Sequence, residues 1–310
     1  MYKVFVDGSA GTTGLKIINR LEARDDIEIV KISEDKRKDL DERIKMIASS
    51  DIAFLCLPDD AAREVVSRLD DVDTKILDTS TAHRTNEKFA YGFPELSKEH
   101  RDKIKNAKFT AVPGCHASGF ISIVYPLVKN GIISPDYPIS CYSLTGYSGG
   151  GKKMIAEYQD EERDVELLSP RQYALSQTHK HLPEMKVISG LDFEPTFSPI
   201  VADFYCGMTT TVPIHTRLLN KKYSVKNIID MFKEQYKNLK TIKVYEEEVV
   251  GFIGTNNLAD NDGMEIMISG NDDRILISSR FDNLGKGSSG AAVQCMNLML
   301  GVDETKGLML

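Results

Sequence analysis

The sequence predicts an α/β protein in which a doubly wound parallel sheet of the Rossmann type is followed by an α+β domain with a mixed or antiparallel sheet. Three observations support this class. Strand-like and helix-like runs alternate up to about Gly114, a glycine-rich turn separates the first strand from the first helix, and alternating strand patterns dominate afterwards. Strands that alternate with helices are typical of a parallel sheet.

The predicted elements follow one another in a regular order. Strand-like runs occupy residues 2–6, 27–32, 51–57 and 75–78, and helix-like runs occupy residues 15–21 and 61–66. Later strands are expected at residues 139–144, 205–212 and 264–268, and a final apolar helix is expected to pack back onto the first domain. Because 310 residues exceed the usual size of one hydrophobic core, we expect two domains, residues 1–114 with 285–310 and residues 115–284.

The composition argues against several classes of protein. A formal net charge of -7 disfavours a nucleic acid partner. No apolar run is long enough to cross a membrane, and the first residues do not resemble a signal peptide, so we expect a cytoplasmic protein. The five cysteines are widely spaced and form no Cys-x-x-Cys pair, which favours reduced thiols over disulfides or a zinc site.

The glycine-rich turn is the first candidate binding site. Gly8, Gly11 and Gly14 have the spacing G-x-x-G-x-x-G between a strand and a helix, where glycine lets a pyrophosphate approach the helix N-terminal amides. The spacing departs from the dinucleotide fingerprint G-x-G-x-x-G, so a turn without a ligand remains an alternative. We expect a dinucleotide cofactor here, contacted by the following residues: Gly8, Ser9, Gly11, Thr12, Thr13 and Gly14.

The end of the second predicted strand bears on which dinucleotide binds. An acidic residue at this point suits the ribose of NAD, whereas cations suit the additional phosphate of NADP. The basic residues Lys36, Arg37 and Lys38 favour NADP, with Arg37 as the candidate ligand, while the neighbouring Glu34 and Asp35 keep NAD open. A solvated run of charges is the plain alternative.

Cys115 is the candidate nucleophile. It follows Pro113-Gly114 and precedes an apolar run, 119–124, so it is expected near a helix N-terminus, a position that stabilises a thiolate. A packed turn residue is the competing interpretation. The other four cysteines have apolar surroundings typical of buried small residues, with Cys56, Cys141 and Cys206 expected in strands and Cys295 on a helix face.

Thioester chemistry also needs an acid/base, and histidine is the side chain whose pKa suits that task. His179 and His181 are the candidates, and Glu184 follows them as a group that could orient an imidazole or bind substrate. A metal site on His-x-His is an alternative, but no third ligand cluster supports it, so no metal is expected. His116 is expected to point away from the site, and three further histidines are expected in loops or strands: His83, His100 and His215.

Two polar loops supply the remaining candidates. The loop of residues 78–84 leaves the end of a parallel strand, where open α/β sheets bind ligands, and contributes Ser80 to the cofactor and Arg84 to the substrate. The loop of residues 148–153 offers amides and cations for a phosphate or carboxylate, with Gly149 assigned to the cofactor and Ser148 and Lys152 to the substrate. Ordinary polar loops are the competing interpretation of both.

Several motifs in the same order resemble one enzyme family. They are the turn of residues 7–14, Leu55-Cys56-Leu57-Pro58-Asp59-Asp60-Ala61-Ala62, Ser80-Thr81-Ala82-His83-Arg84, Tyr91-Gly92-Phe93-Pro94-Glu95-Leu96, Pro113-Gly114-Cys115, Gly146-Tyr147-Ser148-Gly149-Gly150-Gly151-Lys152 and His179-x-His181-x-Pro183-Glu184. Together they resemble the N-acetyl-gamma-glutamyl-phosphate reductases in their shorter bacterial form. The likeness runs nearly the full length. Small departures, Val112 and His116-Ala117-Ser118 where the family commonly has Asn and Tyr-Pro-Thr, concern the substrate pocket.

The resemblance implies a reaction and a set of roles. N-acetylglutamyl phosphate would be reduced by NADPH to N-acetylglutamate semialdehyde in arginine biosynthesis, through a thioester on Cys115. Its histidine motif matches His179 and His181, either of which could be the acid/base. The second domain would then be catalytic and dimerising, in a homo-oligomer, a dimer or a tetramer.

Other functions remain open from the sequence. One is a related enzyme acting on aspartate semialdehyde, glyceraldehyde phosphate or a carrier-bound acyl phosphate of the lysine pathway. The Tyr-Ser-Gly-Gly-Gly-Lys and His-x-His-x-Pro-Glu segments argue against the first two. A catalytically silent NADP-binding sensor is the alternative from a different class, and the retained Cys115 and histidine pair argue against it.

Overall fold

The computed structural model describes residues 1–310. The chain forms two compact units, one of residues 1–113 with 288–308 and one of residues 114–287 with 309–310. None of its helices has the length and apolar character that crossing a bilayer requires.

Ten elements of the first unit precede the second unit in the chain. They are β1 (Tyr2–Asp7), α1 (Thr12–Glu22), β2 (Ile27–Val30), α2 (Leu40–Ala48), β3 (Ile52–Leu55), α3 (Asp59–Val66), β4 (Lys75–Asp78), β5 (Ala90–Tyr91), α4 (Lys98–Asn106) and β6 (Phe109–Ala111).

The second unit begins at a long helix and ends in a β-hairpin. Its helices and strands are α5 (Cys115–Lys129), β7 (Ser140–Gly146), α6 (Gly151–Gln159), β8 (Arg171–Gln172), α7 (Leu182–Ser189), β9 (Thr196–Ala202), β10 (Met208–His215), α8 (Val225–Gln235), β11 (Ile242–Val244), β12 (Met264–Asn271) and β13 (Arg274–Phe281). A π-helical turn, Gly285–Ser289, then leads into α9 (Gly290–Leu300), which belongs to the first unit, as predicted for the last helix.

The first unit is built on a six-stranded sheet in the order β2-β1-β3-β4-β6-β5. Every neighbouring pair in it is parallel, which confirms the predicted doubly wound sheet. In such sheets ligands bind beyond the carboxyl ends of the strands, and the glycine turn follows the carboxyl end of β1.

Apolar side chains alternate between the two faces of this sheet. Val4 and Val6 of β1 pack with α1 and α9 on one face, in the same cluster as Met296. Phe5 packs on the other face, in a cluster with Ile47 of α2 and Val65 of α3. Because successive strand residues point to opposite faces, one short strand contributes to both cores. Burial on both faces anchors the loops at the strand ends.

The second unit contains a seven-stranded mixed sheet in the order β11-β12-β13-β10-β7-β9-β8. The pairs β11 with β12 and β7 with β9 are parallel, and the other neighbours are antiparallel. The predicted α+β class is therefore confirmed. The strand expected at residues 205–212 begins three residues later, at Met208, because the bend at residues 203–206 precedes it.

Helix α5 lies against this sheet, and most of its surface is buried. Gly119 makes the close approach possible, since a Cβ added there would lie 2.4 Å from Thr210 Oγ1 and within 3.0 Å of the Phe281 ring. Ser279 Oγ on the sheet also donates to the Gly119 carbonyl over 3.1 Å. The helix, and therefore its first residue, is held in a defined position on the sheet.

Candidate functional site

Cys115 is the first residue of α5, as the sequence predicts. Gly114 precedes it in an extended conformation, and no side chain caps the helix. The thiol is half-buried and forms no disulfide. The amides of the first helical turn have no partner within the helix, so this end is suited to stabilising a thiolate or an oxyanion.

Glu184 holds the backbone just before Cys115. Its Oε2 accepts a hydrogen bond from the Gly114 amide over 3.2 Å, and its side chain is 1% exposed. It lies in the first turn of α7, which packs against α5. The contact seen is with the protein itself, and the substrate contact expected of Glu184 stays a prediction.

Three histidines form one cluster in the second unit. The ring centroids of His179 and His181 lie 4.7 Å apart, and the His116 ring lies 5.6 Å from the first and 5.7 Å from the second. Phe197 packs edge-on against His116 and His179. The expectation that His116 points away from the site is wrong, because its side chain turns inward against both predicted acid/base residues.

The turn before α7 fixes the relation between the two predicted acid/base residues. The His181 amide donates to Nδ1 of His179 over 3.2 Å, and the Leu182 amide donates to the His179 carbonyl over 3.0 Å. When Nδ1 accepts a hydrogen bond, a neutral imidazole carries its hydrogen on Nε2. His179 is half-buried, whereas His181 is 5% exposed.

Tyr173 is a site residue that sequence reasoning missed. Its hydroxyl lies 2.6 Å from Nε2 of His116, and its ring packs against the apolar cluster of Tyr147, Tyr158, Leu167 and Val201. Burial and the charge of the Cys115 thiolate both raise the pKa of Tyr173. Tyr173 follows the two-residue strand β8 without any motif, so the sequence carried no signal for it beyond a tyrosine near the histidine pair.

The glycine turn has the form of a phosphate cradle. Gly8 has a φ of +80°, and a Cβ there would lie 2.2 Å from the Cys56 carbonyl oxygen. A Cβ on Gly14 would lie 2.6 Å from the Gly8 carbonyl oxygen. Gly11 precedes α1, and no side chain caps that helix. The turn therefore brings bare backbone to a helix N-terminus, which fits a pyrophosphate.

The other predicted cofactor residues in the first unit differ in their surroundings. Arg37 is about half exposed and pairs with Glu34 over 2.5 Å. Ser80 is buried, and its hydroxyl donates to Asp78 over 2.7 Å. Ser9 is exposed, and Thr12 and Thr13 are half-buried at the start of α1. Their proposed contacts with a cofactor stay predictions.

Arg84 is more enclosed than expected for a substrate ligand. Its Nε donates to the Val112 carbonyl over 2.9 Å, and one terminal nitrogen donates to the Thr79 carbonyl over 3.1 Å. The same loop is tied by His83, whose Nδ1 lies 2.6 Å from Asp78 Oδ2. These contacts give the loop a fixed shape at the end of β4.

The loop after β7 separates its predicted substrate residues. Ser148 is buried and accepts a hydrogen bond from the Asn283 side chain over 3.0 Å, and Gly149 lies beside it in a short 3-10 turn. Lys152, by contrast, is exposed on α6. The structure therefore fixes Ser148 and leaves the cation in solvent.

Two minor predictions are corrected. Cys206 lies in the bend before β10 rather than in a strand, and His100 lies in α4 rather than in a loop. Cys206 is grouped with Asp260 and Asp282 within 4.8 Å, an arrangement that could hold a metal ion. Asp282, however, already accepts the amides of Leu284 and Gly285 over 2.7 and 3.2 Å, which explains it as a turn residue.

Comparisons with known proteins place the chain in a family. Residues 3–107 match the family model described as semialdehyde dehydrogenase, NAD binding domain, and residues 115–283 match semialdehyde dehydrogenase, dimerisation domain. N-acetyl-gamma-glutamyl-phosphate reductase 2 of Nostoc sp. is 42% identical over 99% of this chain and 99% of its own length. The enzyme of that name from Brucella ovis is 42% identical over 96% of this chain and 99% of its own length.

The chain belongs to the N-acetyl-gamma-glutamyl-phosphate reductase family. This confirms the resemblance drawn from the motifs. As a member of the family the chain is an oxidoreductase with a domain for a nicotinamide cofactor.

Solved structures agree on the fold of this reductase family member. Aspartate semialdehyde dehydrogenase II from Vibrio cholerae matches with a TM-score of 0.74 at 14% identity, over 97% of this chain and 98% of its own. The Candida albicans aspartate semialdehyde dehydrogenase matches with a TM-score of 0.68 at 14% identity, over 97% of this chain and 98% of its own. At such identities the likeness concerns the fold alone.

Proposed function

We propose that the chain reduces N-acetyl-L-glutamyl 5-phosphate to N-acetyl-L-glutamate 5-semialdehyde with NADPH, through a thioester on Cys115. The observation that carries the proposal is the position of Cys115, at the start of a helix fixed on the sheet and beside a cluster of three histidines. The names of relatives at 42% identity support the choice of substrate.

The first half-reaction transfers the acyl group to the protein. The thiolate of Cys115 attacks the acyl carbon, and the oxyanion that forms is stabilised by the main-chain amides at the start of α5. Collapse breaks the bond to the phosphate oxygen, and phosphate leaves. A thioester remains on Cys115, and it accepts hydride more readily than a free carboxylate does.

The second half-reaction releases the aldehyde. NADPH supplies the hydride that reduces the thioester carbon. One of His179 and His181 protonates the oxygen of the resulting adduct and takes that proton back as the carbon–sulfur bond breaks. The hydrogen bond from the His181 amide leaves Nε2 of neutral His179 with the hydrogen, so this ring is ready to act as the donor.

The glycine turn fits the cofactor, since side chains at Gly8 and Gly14 would fill the space that a pyrophosphate needs. For the 2′-phosphate of NADP, the proposed partners are Arg37 and its basic neighbours, which lie exposed after β2. Arg37 would exchange its contact with Glu34 for the phosphate. The proposal for NADP over NAD rests on this cation.

A homodimer is proposed through the face of the second sheet opposite α5. Tyr142 and Leu276 are 40% and 37% exposed on that face, and the matched family model is described as a dimerisation domain. Light scattering should report a dimer for the wild type and a monomer for Tyr142→Asp combined with Leu276→Asp. An unchanged mass would rule out this face.

The reverse reaction tests the proposed function. The wild type should reduce NADP only when both N-acetylglutamate semialdehyde and phosphate are present, and Cys115→Ser should abolish this reduction. Cys141→Ala, which removes a buried thiol from β7, should keep the activity. Arg37→Ala should raise KM for NADP about tenfold and leave the use of NAD unchanged. Preference for aspartate semialdehyde, or unchanged turnover by Cys115→Ser, would overturn the proposal.

A further inference from the structure

A continuous chain of hydrogen bonds leads from the second sheet to Tyr173. His116, the residue after Cys115, is 3% exposed, and its Nδ1 lies 2.8 Å from Ser143 Oγ. Ser143 Oγ in turn lies 2.9 Å from Thr210 Oγ1 on the neighbouring strand. On the other side of the ring, Nε2 lies 2.6 Å from the Tyr173 hydroxyl. None of these four polar groups is needed by the reaction steps described above.

The end of this chain lies close to the nucleophile. The charge of the Cys115 thiolate acts on the Tyr173 hydroxyl and, together with burial, raises the pKa of Tyr173. The phenol therefore stays protonated through the neutral range. A neutral hydroxyl beside a thiolate is a hydrogen-bond donor in a position to stabilise the anion.

The direction of the chain decides whether the phenol can donate outward. Burial and the neighbouring His179 lower the pKa of His116 to about 3, so its ring is neutral and one nitrogen donates while the other accepts. If Nε2 accepts, the phenolic hydrogen is turned inward. If Nε2 donates to the phenol oxygen, that hydrogen is free to point outward.

The thiolate favours the second direction. A hydrogen bond to an ionised acceptor is about twice as strong as one between neutral groups. When the phenol donates to a thiolate, its oxygen is left to accept from Nε2 of His116, and Nδ1 accepts from Ser143. Thr210 then donates to Ser143 or accepts no hydrogen from it, so the chain is satisfied in this direction.

We propose that His116 is a positioning residue whose Nε2–H holds the Tyr173 phenol so that the phenol donates a hydrogen bond to the sulfur of Cys115. The inference rests on the proposed role of Cys115 as the nucleophile. No covalent bond changes in this role, and no proton leaves the chain of groups. The consequence is a larger fraction of Cys115 in the reactive thiolate form at neutral pH.

The pH dependence of Cys115 alkylation tests this without substrate or cofactor. Iodoacetamide is added to the whole protein, and modification of the Cys115 peptide is followed by mass spectrometry. The titratable groups that surround the histidine cluster and the helix start, His179, His181 and Glu184, stay in place in every variant. Failure of this test is therefore distinct from failure of the reverse reaction.

Four variants give the expected pattern. His116→Leu and Tyr173→Phe should each raise the midpoint of alkylation by about one pH unit. The double variant should show no larger rise than either single one, because His116 acts through Tyr173. His116→Gln, whose amide still donates, should stay closer to the wild type. His215→Leu, at an exposed strand end, is the matched control and should leave the midpoint unchanged.

The same variants define the contradicting results. An unchanged midpoint in His116→Leu, or a double variant whose rise is the sum of the two, would overturn the proposal. An unchanged midpoint in Tyr173→Phe would overturn it as well. If His116→Leu does not fold, Ser143→Ala serves instead, since it keeps the ring and removes the hydroxyl at Nδ1; it should give a smaller rise, and no rise would contradict the proposal.

Discussion

The carboxylate of Glu184 accepts a hydrogen bond from the main-chain amide of Gly114, although the two residues lie 70 positions apart in the sequence. The contact joins the start of α7 to the residue that precedes the cysteine. It therefore links the turn that carries His179 and His181 to the helix that carries Cys115.

Removing this carboxylate should destabilise the protein. Glu184→Ala leaves the Gly114 amide buried without its acceptor, which costs about 1–3 kcal/mol of unfolding free energy. Glu184→Gln keeps an acceptor oxygen and should cost less. Urea denaturation measures both, with the exposed Glu162→Ala as the control, expected within about 0.5 kcal/mol of the wild type. Equal stability of all three variants would contradict the role given to this contact.

Gly8→Ala should damage both stability and cofactor binding. The residue has a φ of +80°, and an added Cβ would lie 2.2 Å from the Cys56 carbonyl oxygen. Gly131→Ala is the matched comparison, because Gly131 has a φ of +62° with no atom within 4 Å of an added Cβ. We expect a cost of about 1 kcal/mol for Gly131→Ala, from backbone strain alone, and a clearly larger one for Gly8→Ala. Thermal unfolding compares them, and similar losses would mean that the turn is not closely packed.

His116 should make the protein sensitive to acid. Its pKa falls from 6.5 to about 3 on folding because the ring is buried beside His179, so the unfolded chain binds a proton that the folded chain does not. Stability is greatest above pH 6.5 and is lost as the pH falls toward 3, by up to ~1.4 kcal/mol per pH unit. Between pH 6 and pH 4 the wild type should lose about 2 kcal/mol more than His116→Gln.

Urea denaturation at the two pH values measures this difference. His215→Gln is the control, since His215 is exposed at the end of β10 and should leave the acid sensitivity as it is in the wild type. Equal losses in the wild type and His116→Gln would show that His116 titrates normally in the folded protein.

Gly287→Ala should impair the nucleophile more than the fold. A Cβ at this position would lie 2.9 Å from Cys115 Cβ and 3.2 Å from the Phe281 ring, so Cys115 has to move. A small displacement of a reacting group costs about a hundredfold in rate, whereas crowding of this size costs about 1–3 kcal/mol of stability. Steady-state kinetics should therefore show a fall in kcat in a variant that still folds. Wild-type kcat would contradict the close contact.

Much of this architecture could be predicted from the sequence, because the signals are local. Gly8, Gly11 and Gly14 mark a strand-to-helix turn by their spacing, and a cysteine after Pro113-Gly114 before an apolar run marks a helix start. These features depend on neighbours within a few residues. The alternation of apolar residues in the first strands likewise fixes which faces are buried.

The parts that escaped prediction depend on contacts between distant residues. Tyr173 meets His116 across 57 positions, and Ser143 reaches the same ring across 27. Glu184 and Arg84 carry ordinary motif positions, yet the contacts observed for them are with the backbone. Spacing along the chain does not show which buried polar groups pair, since that depends on how α5 lies on the sheet.

The central claim is that Cys115 forms the thioester, and one measurement tests it most directly. The protein is mixed with N-acetylglutamate semialdehyde and NADP in the absence of phosphate, so the acyl group has no acceptor to leave with. The wild type should form about one NADPH per subunit in a burst and carry an N-acetylglutamyl adduct on the Cys115 peptide by mass spectrometry. Cys115→Ala should show neither. A burst without an adduct, or an adduct at another residue, would contradict the account.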